Sequence, residues 1–394
     1  MPGRVRADAG AITTWRKLIY GLLVTLLVLG GVEATFRWMY GEPPPYDAIV
    51  RISKCRLMSD QAGWSRMDCE PGDSADVAVP TEPRAGRPRV VFLGESSVRQ
   101  TGVRPLPYAF ADAVAALNPD LEVINLGVSG ISSAGIARLS ADLDRIDPDL
   151  VVLYAGHNEY NSDVFRGAIQ GTRLWLAPVY RLLQQSWIHG FLARVPRGTP
   201  RAQRPRSSVN AIADDLAFQV RAEVDERFRH DLALAVHESP APVILCTLLR
   251  NPDSPPTGVL AGAGSTCERA LRVVSGPGAL ERRLAYAETA CGDSAITAWL
   301  RFQRALQLRD ADGARAAWYR SLDLDALPLR APASADPIIR EVAAETGAEL
   351  VDLEAQWGPF APGRWFNDNL HFSTDGARAV GQALDAPIRR KLGL

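Results

Sequence analysis

Arg89-Val90-Val91-Phe92-Leu93-Gly94-Glu95-Ser96-Ser97 is the stretch that decides the fold. Between Pro88 and Gly94 lie four apolar residues after one arginine. A short continuous apolar run bounded by Pro and Gly reads as a strand buried on both faces. Such strands belong to parallel sheets with helices on either side.

Outward from it, strands and helices alternate. Tyr108 to Leu117 is alanine-rich and helical, stopped by Asn118-Pro119. Leu121 to Asn125 is a second strand, and Leu150 to Tyr154 a third. Ser133 to Ile146 carries apolar residues at helical spacing and ends at Asp147-Pro148. Ala213 to His237 reads as a charged amphipathic helix, Val243 to Leu248 as a fourth strand. Pro337 to Thr346 is helical, Glu349 to Leu353 a fifth strand, and Asp375 to Leu392 a closing helix. The order βαβα implies an α/β domain with a central parallel sheet. Ligands bind such sheets beyond the carboxyl ends of the strands. Ser96, Gly130 and Asn158 each lie just past a strand end.

Bulk properties exclude several classes. The chain has 394 residues, 47% apolar and 23% charged, enough for a large core. Its net charge of -1 gives no pull toward nucleic acid. Five His and five Cys form neither a zinc-type cluster nor an HExxH helix, so no metal site is expected. Without GxxxxGK[ST] or GxGxxG after a strand, nucleotide binding is unsupported, and no cofactor is expected.

The N-terminus reads as a membrane segment. Leu18 to Val32 is fifteen residues without a charge, preceded by Arg4, Arg6, Arg16 and Lys17. Phe36, Trp38 and Tyr40 follow as an interfacial belt would. One reading is a signal-anchor, with a basic tail at 1–17 in the cytoplasm and a transmembrane helix at 18–40. The other is a cleavable signal peptide ending at Val32-Glu33-Ala34. The size of Val32 and the belt favour the anchor. Both place the remainder on the extracytoplasmic side, periplasmic or extracellular. Cysteine usage fits export: Cys55 and Cys69 lie in one loop-like stretch, Cys267 and Cys291 in another region, and Cys246 in an apolar run. Two disulfides and one buried thiol would account for the five, and five free thiols remain the alternative.

Residues 41–88 form a juxtamembrane segment, and 89–394 a domain with two insertions. The first, at about 165–211, is proline-rich and basic, with Arg197, Arg201, Arg204 and Arg206 in a loop-like run. The second, at about 276–327, is helical and has the spacing of one tetratricopeptide unit around Trp299, Ala305 and Tyr319. A single unit cannot build a solenoid, so it packs on the main domain as a cap or offers a surface to a protein partner. Arg330, just beyond it, reads either as an anion contact in the pocket or as a surface salt bridge.

The chemistry lies at the strand ends. Near the C-terminus, Asn367-Asp368-Asn369-Leu370-His371-Phe372-Ser373 sets an Asp three residues before a His. Together with Ser96 these supply a nucleophile, a base and an orienter. A serine hydroxyl attacks only if a base takes its proton, and imidazole titrates in the right range. Taken alone, a strand-end Ser is a helix cap, Asn158 a turn former and a lone His structural. The case rests on the set. His157 either lines the pocket or is structural.

Four blocks resemble the SGNH (GDSL) hydrolases: Gly94-Glu95-Ser96, Asn125-Leu126-Gly127-Val128-Ser129-Gly130, Gly156-His157-Asn158-Glu159, and Asp368-Asn369-Leu370-His371. The closest likeness is to membrane-anchored members with a tetratricopeptide-like insertion. The resemblance implies a flavodoxin-like three-layer α/β/α fold and an esterase or acylhydrolase. It implies Ser96 as nucleophile, His371 as base and Asp368 as its orienting carboxylate. Ser96 and Gly130 would give backbone N–H groups, and Asn158 its side-chain amide, to the oxyanion hole. Glu95 and Glu159 stand where the family usually has Asp. The expected substrate is an acylated, exported glycan or lipid. O-acyl transfer with the same triad is the first alternative, and a non-catalytic membrane-tethered binding module the second.

Overall fold

A computed structural model describes residues 9–40, 55–59, 64–69, 78–81, 86–99, 108–160, 214–256, 278–325, 328 and 330–394. The chain divides into two compact units, residues 1–50 with 171–204 and residues 51–170 with 205–394.

In the first unit, helix α1 spans Ala9–Tyr40. Its stretch Ile19–Met39 is 21 residues long with mean hydropathy 1.8, long and apolar enough to cross a membrane. A signal sequence meets the same test. Glu33, the one acid in the stretch, accepts from Arg37 Nε at 3.0 Å one turn later. Leu27 and Trp38 are 77% and 86% exposed.

The second unit is built on a five-stranded parallel sheet. Its strands are β4 (Arg89–Gly94), β5 (Glu122–Asn125), β6 (Leu150–Tyr154), β7 (Val243–Cys246) and β8 (Glu349–Val351), in spatial order β5-β4-β6-β7-β8. Numbered within the sheet this is 2-1-3-4-5, the flavodoxin-like order. Val90, Val91, Phe92 and Leu93 are wholly buried, as the double-sided reading requires. The register pairs Phe92 with Asn125 and Gly94 with Tyr154, so three strands end at one edge. There the chain leaves β4 for β5 on one side and returns to β6 on the other, and that reversal opens the crevice where ligands sit.

Helices flank the sheet in two groups. α3 (Phe110–Leu117) packs on the closing helix α10 (Thr374–Leu392), while α4 (Ser133–Ala141) and α9 (Ala335–Thr346) both pack on α5 (Asp214–His237). The single helical turn α2 (Ser96–Arg99) follows β4 directly.

Two expectations need correction. The stretch holding Cys55 and Cys69 is not a loop but part of a small antiparallel sheet, β1 (Cys55–Ser59), β2 (Trp64–Cys69) and β3 (Ala78–Pro80), with Cys55 opposite Cys69. Cys55, Leu57, Met67 and Val79 join the same apolar core as β4, so the folded unit reaches back past residue 89. The helix expected over Ser133 to Ile146 is also broken, ending at Ala141 before a 3-10 turn at Leu143–Ile146. The cause is tertiary. Asp142 holds Arg56 with hydrogen bonds of 2.6 and 2.8 Å and accepts the Leu57 amide at 3.1 Å.

The later insertion is helical: α6 (Ala279–Ala290), α7 (Ala295–Gln307) and α8 (Ala311–Asp323). Ser294 and Asp310 cap α7 and α8 by accepting the amides of Thr297 and Gly313. Phe302 and Trp318 pack at 5.2 Å between ring centroids in the α7–α8 hairpin. Cys55 and Cys291 are each in a disulfide, and Cys246 is a buried free thiol. The basic insertion at about 165–211 lies outside the described residues, as do Cys267 and His189.

Candidate active site

The turn from β4 into α2 depends on Gly94. A Cβ there would lie 2.2 Å from the Tyr154 carbonyl oxygen of β6 and 2.3 Å from a Val98 methyl. No side chain fits, so the strand can turn sharply and present Ser96 at the sheet edge. The Val98 and Arg99 amides close α2 on the Glu95 carbonyl at 3.0 and 3.1 Å. Ser96 heads this turn, where backbone N–H groups have no intrahelical acceptor.

His371 comes from the other end of the chain. Its neighbour Phe372 is buried in an aromatic cluster with Phe110 and Tyr154, at centroid distances of 6.1 and 6.0 Å. Such pairs contribute about 0.5–1.5 kcal/mol each beyond burial. Asn367 ties off the loop: its amide donates to the His371 carbonyl and its side chain to the Phe372 carbonyl, both at 2.8 Å. Ser373 then caps α10 through the Gly376 amide.

Ser96, His371 and Asp368 form a continuous hydrogen-bonded line. Ser96 Oγ lies 2.8 Å from His371 Nε2, and His371 Nδ1 lies 2.6 Å from Asp368 Oδ2. The other Asp368 oxygen accepts the amides of Leu370 and His371 at 2.9 and 2.8 Å. The three-residue spacing allows one carboxylate to cap its own loop and orient the ring. Partial burial would raise the Asp368 carboxyl, but the bonds from the His371 ring and the two amides outweigh it and hold the carboxyl below its usual range. An Asp that accepts Nδ1–H leaves Nε2 as the acceptor facing the serine.

The remaining strand-end residues are knitted to one another. Asn158 Nδ2 donates to the Ile131 carbonyl at 2.8 Å, next to Gly130. An amide has two such hydrogens, and among the described residues only one of them has an acceptor. Gly130 has φ 74, a left-handed turn that suits glycine. The Val128 amide donates to the Gly94 carbonyl at 2.9 Å, and Asn125 Nδ2 to the Val98 carbonyl at 3.0 Å, fastening the β5 loop to the serine turn.

Glu95 has a structural role the sequence reading left unassigned. Its buried carboxylate accepts three successive amides, from Gly156 at 2.7 Å and from His157 and Asn158 at 3.1 Å each. Glu159 in turn accepts the Ser133 amide at the start of α4. Burial, and for Glu95 the charge of Glu159, raises these carboxyls to about 8 and about 7, against the pull of their amide donors. The residue before the serine thus holds the segment bearing Asn158.

Other expected contacts resolve differently. His157 is structural: it is buried, its Nδ1 accepts the Ala331 amide at 3.2 Å and its Nε2 faces the Tyr154 hydroxyl at 3.4 Å. Burial, with Arg250 nearby, holds it well below the usual imidazole range, so the ring is neutral. Arg330 is not a surface ion pair. It is buried, donates through Nη1 to the carbonyls of Asn251 and Ser254 at 2.8 Å each, and lies 4.8 Å from the Trp318 ring centroid. His230 and His237 are exposed on α5.

No protein-family model matches the chain. No curated protein matches it either. Among solved structures, it is similar to a lipase/acylhydrolase from Enterococcus faecalis, with 15% identity over 77% of this chain and 96% of that one, at TM-score 0.36. It is also similar to the psychrotrophic esterase EstA from Pseudoalteromonas sp., with 12% identity over 78% and 99%, at TM-score 0.36. A third is phospholipase A1 from Streptomyces albidoflavus NA297, with 14% identity over 77% and 99%, at TM-score 0.35.

Proposed function

We propose that the chain is a serine esterase of the SGNH type, working through an acyl-enzyme on acyl groups of an exported glycan or lipid. The observation that carries this is the unbroken line from Ser96 Oγ through His371 to Asp368. The four motif blocks support it, as does their placement at the carboxyl ends of a 2-1-3-4-5 sheet.

In this reading His371 Nε2 takes the Ser96 proton as Oγ attacks the ester carbonyl. Asp368 stabilises the imidazolium that forms, without itself taking the proton. Negative charge moves to the former carbonyl oxygen. The backbone N–H groups of Ser96 and Gly130 and the second Asn158 amide hydrogen are the donors for it. Collapse expels the alkoxide, which leaves with the proton from His371. Water, deprotonated by the same imidazole, then attacks the Ser96 ester, and collapse expels Ser96 Oγ, which takes the proton back from His371 as the acid leaves. The N-terminal helix would tether the domain outside the cytoplasm.

The test is turnover of p-nitrophenyl acetate by the full chain in detergent, with and without a polysaccharide acceptor. Release of p-nitrophenol that disappears in Ser96→Ala is expected, with acetate as the product in both arms. Turnover untouched by Ser96→Ala overturns the reading, and acetate recovered on the polysaccharide would replace hydrolysis by transfer.

A further inference from the structure

Asp368 is exposed over about half of its side chain (47%), yet it must hold the His371 ring in register. Its own loop is polar and short. Asn251, just past β7, supplies an outside grip. Its Nδ2 donates to the Asp368 carbonyl at 2.7 Å, and its backbone amide to the Asn369 carbonyl at 3.0 Å. Ser254 Oγ adds a bond to the Asn369 side chain. The 251–254 turn is rigid in itself, since Asn251 Oδ1 accepts the Asp253 amide at 3.0 Å.

The far side of this turn is held by the helical insertion. Trp299 Nε1 and Gln303 Nε2, both on α7, donate to the Pro252 carbonyl at 3.0 and 3.2 Å. Arg330, stacked on Trp318 of α8, joins the carbonyls of Asn251 and Ser254 through one nitrogen. Burying a guanidinium is costly, and burial lowers the Arg330 pKa to about 10 while its Nη1 holds two turn carbonyls.

We propose that Asn251 is a positioning residue for the Asp368–His371 couple, and that its turn is held in place by Trp299 and Gln303 of the helical insertion and by Arg330, which stacks on the insertion's Trp318. This rests on reading Ser96, His371 and Asp368 as the catalytic set. The insertion is then a buttress for the acid–base loop. A shift of about 1 Å in such a loop can cost on the order of a hundredfold in rate.

The test is a double-mutant cycle on the full chain in detergent, with p-nitrophenyl acetate as substrate. Asn251→Asp keeps the acceptor for Asp253 and removes the donor to the Asp368 carbonyl, while Asn251→Ala removes both without adding charge. Both should lower kcat by roughly ten- to a hundredfold, with KM changed less than about twofold. In an Asp368→Asn background the same substitutions should cost less than about twofold, because the group they position is gone. An equal loss in both backgrounds overturns the proposal. Proton NMR gives a second readout that needs no turnover: the low-field resonance of the His371 Nδ1–H shared with Asp368 should shift or broaden in Asn251→Ala. An unchanged resonance also overturns it. If turnover proves independent of Ser96, the catalytic reading fails and this resonance alone decides the positioning role. Trp299→Phe combined with Gln303→Ala should lower kcat about threefold in the parent and leave it unchanged in Asp368→Asn. No loss in the parent removes the insertion from the account.

Discussion

Ser96 Oγ and His371 Nε2 sit 2.8 Å apart although 275 positions separate them in the chain. β4 and α2 fix one atom, and the aromatic anchor at Phe372 with the cap at Ser373 fixes the other. Each half is held by bonds and packing of its own, so the contact is preorganised by the fold, with Asn251 bracing the His371 side.

Asn158→Ala removes a side-chain donor but leaves the backbone amide on Glu95. The expected result is a fall in kcat of about 100- to 1000-fold with little change in KM. Steady-state kinetics on p-nitrophenyl acetate read this directly. A change confined to KM would mean that Asn158 binds substrate without stabilising the oxyanion.

Gly94→Ala should be among the most destabilising single-methyl additions in the chain. The new Cβ would meet a backbone oxygen of β6 at 2.2 Å, and a central strand cannot yield without disturbing its ladder. Overpacking of this kind costs about 1–3 kcal/mol, occasionally more. Urea denaturation should show that loss, together with lower activity, because Ser96 is two residues away.

Glu95 and Glu159 give the fold a pH dependence of definite sign. Their folded-state values of about 8 and about 7 lie above the ordinary 4.5. Between those values the folded chain keeps protons that the unfolded chain has released. These two groups therefore make stability fall as pH rises from about 4.5 to about 8. Urea midpoints measured across this window should decline. Glu95→Gln should decline less steeply while being weaker at the acid end, since its NH2 faces amide donors.

Much of the fold was legible because strands buried on both faces leave continuous apolar runs, as in Val90–Leu93 and Leu150–Tyr154. β1 and β2 were not legible: in β1 buried Cys55 and Leu57 alternate with exposed Arg56, and such short polar stretches read as loop. The break at Asp142 was also hidden, since Arg56, which it binds, lies 86 positions away. In the site, Asp368 and His371 were readable because their partnership is local. Asn251 was not, because Asn-Pro reads as an ordinary turn and its partner Asp368 is 117 positions distant. Arg330 showed only as a charge near an insertion, and nothing in its neighbours revealed the two carbonyls it holds.

Labelling with a fluorophosphonate followed by peptide mass spectrometry tests the central claim most directly. Attack by Ser96 forms the Oγ–P bond and expels fluoride, with His371 taking the hydroxyl proton. The account predicts one adduct per chain, on Ser96, absent in Ser96→Ala and formed far more slowly in His371→Ala. An adduct on another residue with Ser96 unmodified, or a rate indifferent to His371, would contradict it.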